Sequence, residues 1–157
     1  MAVTVAAIID GITTTLAAAT GITSGLSYDE LLEGVPGVNC PMIQVYPDAF
    51  NPDPGSGTDR TAFQAGIQLQ EIIIFVDVYA RVRSQIAQDM KAAVDTLDNL
   101  VTMLQTEEKP PFFGVTATVP TDKYPIKSFR WSWKRAVFVF GSQKYMGGRF
   151  TIIVRIA

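Results

Sequence analysis

Few side chains in this sequence could do chemistry, and one absence limits the rest: there is no histidine. That removes the commonest general base near neutral pH and the commonest transition-metal ligand, so Ser-His-Asp, Cys-His and zinc schemes drop out. Cys40 is the single cysteine, which forbids an internal disulfide or a multi-cysteine metal cluster. Set between Asn39 and Pro41 with no candidate base, it reads as a part-buried thiol. Asp48, Asp53 and Asp59 offer the oxygen ligands that calcium or magnesium prefers. Their spacing lacks the alternate-position ligands and closing Glu of a calcium loop, so they read as solvated carboxylates. No metal and no cofactor is expected.

The glycine pairs are weaker still as chemistry. Gly55 to Gly57 ("GSG") and Gly147-Gly148 have neither the Walker lysine nor the Gly-x-Gly-x-x-Gly pattern entering a helix, and both read as turns. Asp77 sits among Ile, Phe and Val, where a carboxylate needs a partner or a shifted pKa. An ion pair with Arg81, Arg83 or Arg135 is expected. "RWSWKR" interleaves Trp131 and Trp133 with Arg130, Lys134 and Arg135, as a platform for single-stranded nucleic acid does. The stretch leads into an apolar strand and has no second basic cluster beside it, so core or interface packing is the favoured role. Asp89, Asp95 and Asp98 fall on the polar side of a helix and read as a solvated face.

The elements that would position these groups follow from hydrophobic period. The chain has 157 residues, 48% of them hydrophobic and 18% charged, with a net charge of -2. Such a composition fits one folded domain and gives no long-range attraction for nucleic acid. The N-terminus lacks a basic region and Asp10 interrupts its apolar run, so a retained helix is expected there, not a signal peptide. Without a run of about 20 apolar residues, a soluble protein is expected. Val5, Ile8, Ile9, Ile12 and Leu16 make the stripe of a first helix ending near Gly21, and Ser27 with Glu30 has the spacing of a capping box before a short helical turn.

"MIQVY" reads as a short strand, followed by a long exposed Pro/Gly/Asp loop and then a strand from Ile67. Ile67 and Leu69 alternate with glutamines, whereas from Ile72 to Tyr79 both faces are apolar, as in a strand covered on both sides. The switch of apolar face suggests a bulge or twist near Gln70 and Glu71. Ser84 is placed to cap a second helix, striped by Ile86, Met90, Ala93, Val94, Leu97, Leu100, Val101 and Leu104 and ended by Pro110 and Pro111. "VTATVP" reads as weakly extended. The chain closes on two strands joined by a turn over Gly141 to Gly148, the last alternating Phe150, Ile152, Val154 and Ile156 inward with Arg149, Thr151 and Arg155 outward. The expected class is α+β: one domain, a mixed or antiparallel sheet of about four to five strands and two main helices.

This order of helix, "MIQVYPDAF", long loop, "IIFVDVYA", "DMKAAVDTLDNLVTML" and "FVFGSQKYMGGRFTIIVRIA" resembles the tail-terminator proteins of long-tailed bacteriophages over nearly the whole chain. The resemblance implies a structural virion protein and no enzyme. In that family subunits form a ring, typically a hexamer, on the head-proximal end of the tail tube; it stops tube growth, meets the neck connector or head-completion protein, and lets DNA pass through. On this basis Tyr46, Phe50, Arg60, Phe63, Ile67 and Leu69 are assigned to ring-to-ring contacts, because apolar loop residues without local partners need a neighbour to cover them. Trp131 and Trp133 are candidates for interface packing. Asp95 and Asp98 could line the DNA channel or face solvent outside. Another neck protein, a tube subunit, or a small-molecule binding domain or enzyme using Asp77 and the Trp pair are the competing readings.

Overall fold

Period-two burial builds the centre of the molecule. A computed structural model describes residues 4–51, 70–116 and 124–156. Within these, helix α1 (Val5–Ala17), strand β1 (Ser24–Leu26), β2 (Met42–Asn51), β3 (Gln70–Val82), helix α2 (Ile86–Thr106), β4 (Ile126–Phe140) and β5 (Gln143–Ile156) follow in order. The strands form one sheet in the order β1-β2-β3-β5-β4, with β1 parallel to β2 and every other pairing antiparallel. This is the expected α+β class, with a mixed sheet.

Both helices lie on one face. α1 packs against β1, β2 and a 3-10 turn at Phe112–Gly114, and α2 against β3 and β5. Between helices and sheet, Ile8, Ile9, Ile12 and Leu16 meet Ile43, Val45, Ile74, Val76, Phe150, Ile152 and Val154 in the main core. Each such side chain stabilises the fold by about 2 kcal/mol relative to exposure. Phe113 takes a left-handed φ of 53°, a strained conformation for a bulky residue. Its contacts hold it there: it is buried, its N–H donates to Glu107 Oε2 at 2.9 Å, and its ring packs on Phe129.

Among the described residues the opposite face is covered at one end alone. There Val35, Met42, Tyr79 and Tyr145 form a second cluster, fastened by the Tyr145 hydroxyl donating to the Val35 carbonyl. Farther along, Ile73 and Phe75 stay half-buried, so among the described residues β3 is not covered on both sides as its composition suggests.

Other expectations are corrected locally. β2 continues through Pro47–Asn51 into the stretch read as loop, with its register against β3 shifting between Pro47 and Ala49. The pairing of β3 is regular at Gln70 and Glu71; its irregularity lies between Tyr79 and Arg81. Ser27 caps no helix: Glu30 N–H closes a single turn on the Ser27 carbonyl, and the Ser27 hydroxyl donates to Asp10. Ile86 and Val94 are exposed on α2, because a stripe that wide exceeds the face the sheet can cover. The hairpin turn is confined to Gly141-Ser142, where Gly141 has φ 61°, as the first position of a tight two-residue hairpin requires. Residues 52–69, with the rest of the Pro/Gly-rich loop, and most of "VTATVP" lie outside the described residues.

Gly147 and Gly148 are therefore not a turn but two residues of β5. A Cβ on Gly147 would stand 1.7 Å from the Val78 carbonyl oxygen, and one on Gly148 would stand 2.3 Å from the Trp133 ring. The pair lets the β3 backbone and the Trp133 ring approach β5.

Candidate functional site

The open sheet face carries the polar groups with the most defined geometry. Asp77 and Arg149 are register partners on β3 and β5. Arg149 donates through Nε to Asp77 Oδ1 at 2.7 Å and through an η nitrogen to Oδ2 at 3.3 Å, while the Tyr46 hydroxyl donates to Oδ2 at 2.7 Å. The guanidinium also lies 4.5 Å from the Phe75 ring centroid. Asp77 thus finds its partner across the sheet; Arg81 and Arg83 pair with Asp89, and Arg135 lies against the Met146 sulfur. A second cross-strand pair, Glu71 with Arg155 at 3.3 Å, repeats the arrangement farther along.

Around this network the tyrosines resist ionisation. Burial first, and then the hydrogen bond to Asp77 and its charge, push the Tyr46 hydroxyl well up from its ordinary value near 10. Burial and the Asp77 charge take Tyr79 up to about 12, although Gln44 donates to its oxygen at 3.0 Å. The bond to Asp77 likewise raises Arg149. Above about pH 10 the unfolded chain loses tyrosine protons that the folded chain keeps. Stability is therefore full below pH 10 and falls as pH rises through the folded values. Thermal melts between about pH 8 and about pH 12 should show a plateau and then this fall, shallower in Tyr46→Phe and Tyr79→Phe.

Asp89 was expected on a solvated helix face, yet it is completely buried. Its carboxylate accepts the Ser84 N–H at 3.0 Å and lies 3.5 Å from both Arg81 Nε and Arg83 Nε. Ser84 therefore does not cap α2. Gln85 holds that position without a side-chain bond, and Asp89 reaches back from the first turn, where the helix dipole favours a carboxylate. Asp89→Ala should cost about 2 kcal/mol in denaturant unfolding, because it orphans a backbone N–H and removes the anion shared by two arginines.

The remaining predicted residues separate. Trp131 pairs in register with Ile152 and Trp133 with Phe150, so both tryptophans lie on the helix-covered face, while Arg130 and Lys134 lie on the open one. Within "RWSWKR" only Arg135, opposite Gly148, shares the tryptophan face, so Arg130 and Lys134 are separated from the aromatic rings, and Asp77 shares no cleft with the tryptophans. Tyr46 is half-buried with partners in its own chain, whereas Phe50 is 43% exposed on β2. Arg60, Phe63, Ile67 and Leu69 lie outside the described residues, as do Asp53 and Asp59. Asp95 and Asp98 are exposed on α2, Asp95 paired with Lys91 at 2.7 Å. Cys40 is half-buried, and burial raises its thiol.

An open groove of about 400 Å³ lies over Phe75, Ser132, Lys134, Phe138, Arg149 and Thr151. Among the described residues no group of three or more Cys, Asp or Glu is placed to hold a metal ion, and no helix is long and apolar enough to cross a membrane.

Charge distribution along the sheet is a feature that residue-by-residue inspection misses. Every charged residue in 4–51 is acidic, and every charged residue in 124–156 is basic. Folding places the first group with β1 and β2 at one end of the sheet and the second with β5 and β4 at the other. A running sum of charge along the sequence would have found it. No protein-family model matches this chain, and no curated protein matches it either.

Proposed function

We propose that the chain is a tail terminator: a structural subunit that assembles with copies of itself into a ring, a hexamer by the resemblance, on the head-proximal end of a bacteriophage tail tube. The ring ends tube polymerisation and joins the tail to the neck connector or head-completion protein. The observation that carries this reading is the state of the sheet. Among the described residues the outer edge of β4 has no pairing strand along its length, β2 has none on its outer side beyond Gln44, and one face is largely open. Unpaired edges template association and are ordinarily blunted or covered. In a ring, neighbouring subunits cover them. The helices and strands on which the resemblance rests, though not its long loop, follow one another in that order among the described residues.

Within this reading Phe50 and Tyr46 of β2, with Arg60, Phe63, Ile67 and Leu69, serve ring-to-ring contacts. Trp131, partly exposed beside Phe150, borders an interface with Trp133 packed behind it. Asp95 and Asp98 face the channel, where repulsion lets DNA slide. The partners are other copies, the tube protein and the neck; DNA only passes through, and no membrane, cofactor or substrate turnover is involved. The protein resides in the virion at the head–tail junction after assembly in the host cytoplasm.

Purified tube protein polymerised with and without this chain tests the function. Shorter tubes carrying a ring at one end are expected, and unchanged, uncapped tubes would overturn the proposal. Phe50→Ala should weaken capping while changing unfolding free energy by only about 1 kcal/mol, since the side chain is 43% exposed and outside the core.

A further inference from the structure

We infer that copies of this chain dock head to tail, the basic β5–β4 end of one sheet against the acidic β1–β2 end of the next. This deepens the ring reading by naming the two surfaces that meet. At the acidic end stand Asp29, Glu30, Glu33 and Asp48 with no Lys or Arg among them. The segment bearing the first three follows β1 directly and is fastened to β2 by Gln44, whose side chain accepts the Leu32 N–H at 2.6 Å and donates to the Leu32 carbonyl at 3.2 Å. It also exposes Tyr28, Leu31 and Leu32. At the basic end β4 carries Arg130, Lys134 and Arg135, with Lys144 on β5. Val137, Val139 and Trp131 are exposed on the other face of the same edge strand, which they share with Arg135. Arg149 and Arg155 do not add to the surplus, because β3 supplies Asp77 and Glu71 to them.

Among the described residues each end thus has apolar side chains to bury, backbone to pair and charge of one sign. A two-fold contact between identical ends would bring like charges together, whereas a head-to-tail contact brings opposite charges together. The same arrangement selects the polarity of assembly and rejects the symmetric dimer.

Sedimentation velocity on three proteins tests this: the wild type, Arg130→Glu with Lys134→Glu, and Glu30→Lys with Glu33→Lys. The wild type should assemble at low salt and weaken as salt shortens the screening length. Each reversal alone should raise the concentration for half-assembly by about tenfold or more. An equimolar mixture of the two variants should assemble again, because alternating copies restore opposite charge at every contact. That recovery also shows that both variants fold. Assemblies that survive both reversals would overturn the contact while leaving the ring reading intact. A wild type that stays monomeric at about 100 µM in low salt would overturn self-docking, and the tube-capping assay would then decide the terminator reading separately.

Discussion

Gly147→Ala should abolish or nearly abolish folding, with a loss of more than about 4 kcal/mol in denaturant unfolding. The added methyl would meet the Val78 carbonyl oxygen at 1.7 Å and the Val78 carbonyl carbon at 2.8 Å. Both are backbone atoms, so no rotamer change relieves them. Relief requires β3 and β5 to separate where their register already shifts, between Tyr79 and Arg81, and these two strands supply most of the sheet's side of the core. Total stability for a domain is about 5–15 kcal/mol, so a loss of this size leaves little. Gly141→Ala is the control. Its surroundings are open and only its φ of 61° is disfavoured, so a cost of about 1 kcal/mol is expected.

Arg149→Met is expected to cost about 3 kcal/mol, also by denaturant unfolding. The substitution leaves the Asp77 carboxylate, 5% exposed, without its cation, and breaking a buried pair from one side costs about 3–5 kcal/mol. The low end applies because Tyr46 still donates to Asp77 and the guanidinium was partly solvated. Removing both charges, as Asp77→Val with Arg149→Met, should recover most of the loss, since an apolar pair of similar volume replaces a desolvated ion pair at little net cost. A double substitution as damaging as the single one would show that the loss arises from packing against Phe75.

Much of this fold is legible in the sequence where hydrophobic period is strong. The alternation of Phe150, Ile152, Val154 and Ile156 and the α1 stripe of Ile8, Ile9, Ile12 and Leu16 identify residues that are buried in the structure. Features that depend on what lies across the sheet are less legible. Pro47 suggests a loop, yet it sits on β2 beyond the residues that β1 pairs, next to a register shift, where a missing N–H is tolerated. The Gly147-Gly148 pair reads as a turn because glycine's second use, close approach, shows only once Val78 and Trp133 are in place. Asp77 is nearer in sequence to Arg81 and Arg83 than to Arg149, but strand register brings Arg149 to it. Asp89 looks solvated on a helical wheel, which does not show Arg81 and Arg83 folding over the start of α2. The charge polarity was present in composition by segment, and it acquires meaning only because the topology puts those segments at opposite ends of one sheet.

The most direct measurement of the terminator proposal is tail length by electron microscopy of lysates from the encoding genome with this reading frame deleted. Overlong tails unattached to heads are the expected result, restored to normal length when the wild-type chain is supplied in trans. Tails of normal length on ordinary infectious particles would contradict the account, and tails of normal length lying beside filled heads would assign the chain to joining and not to termination.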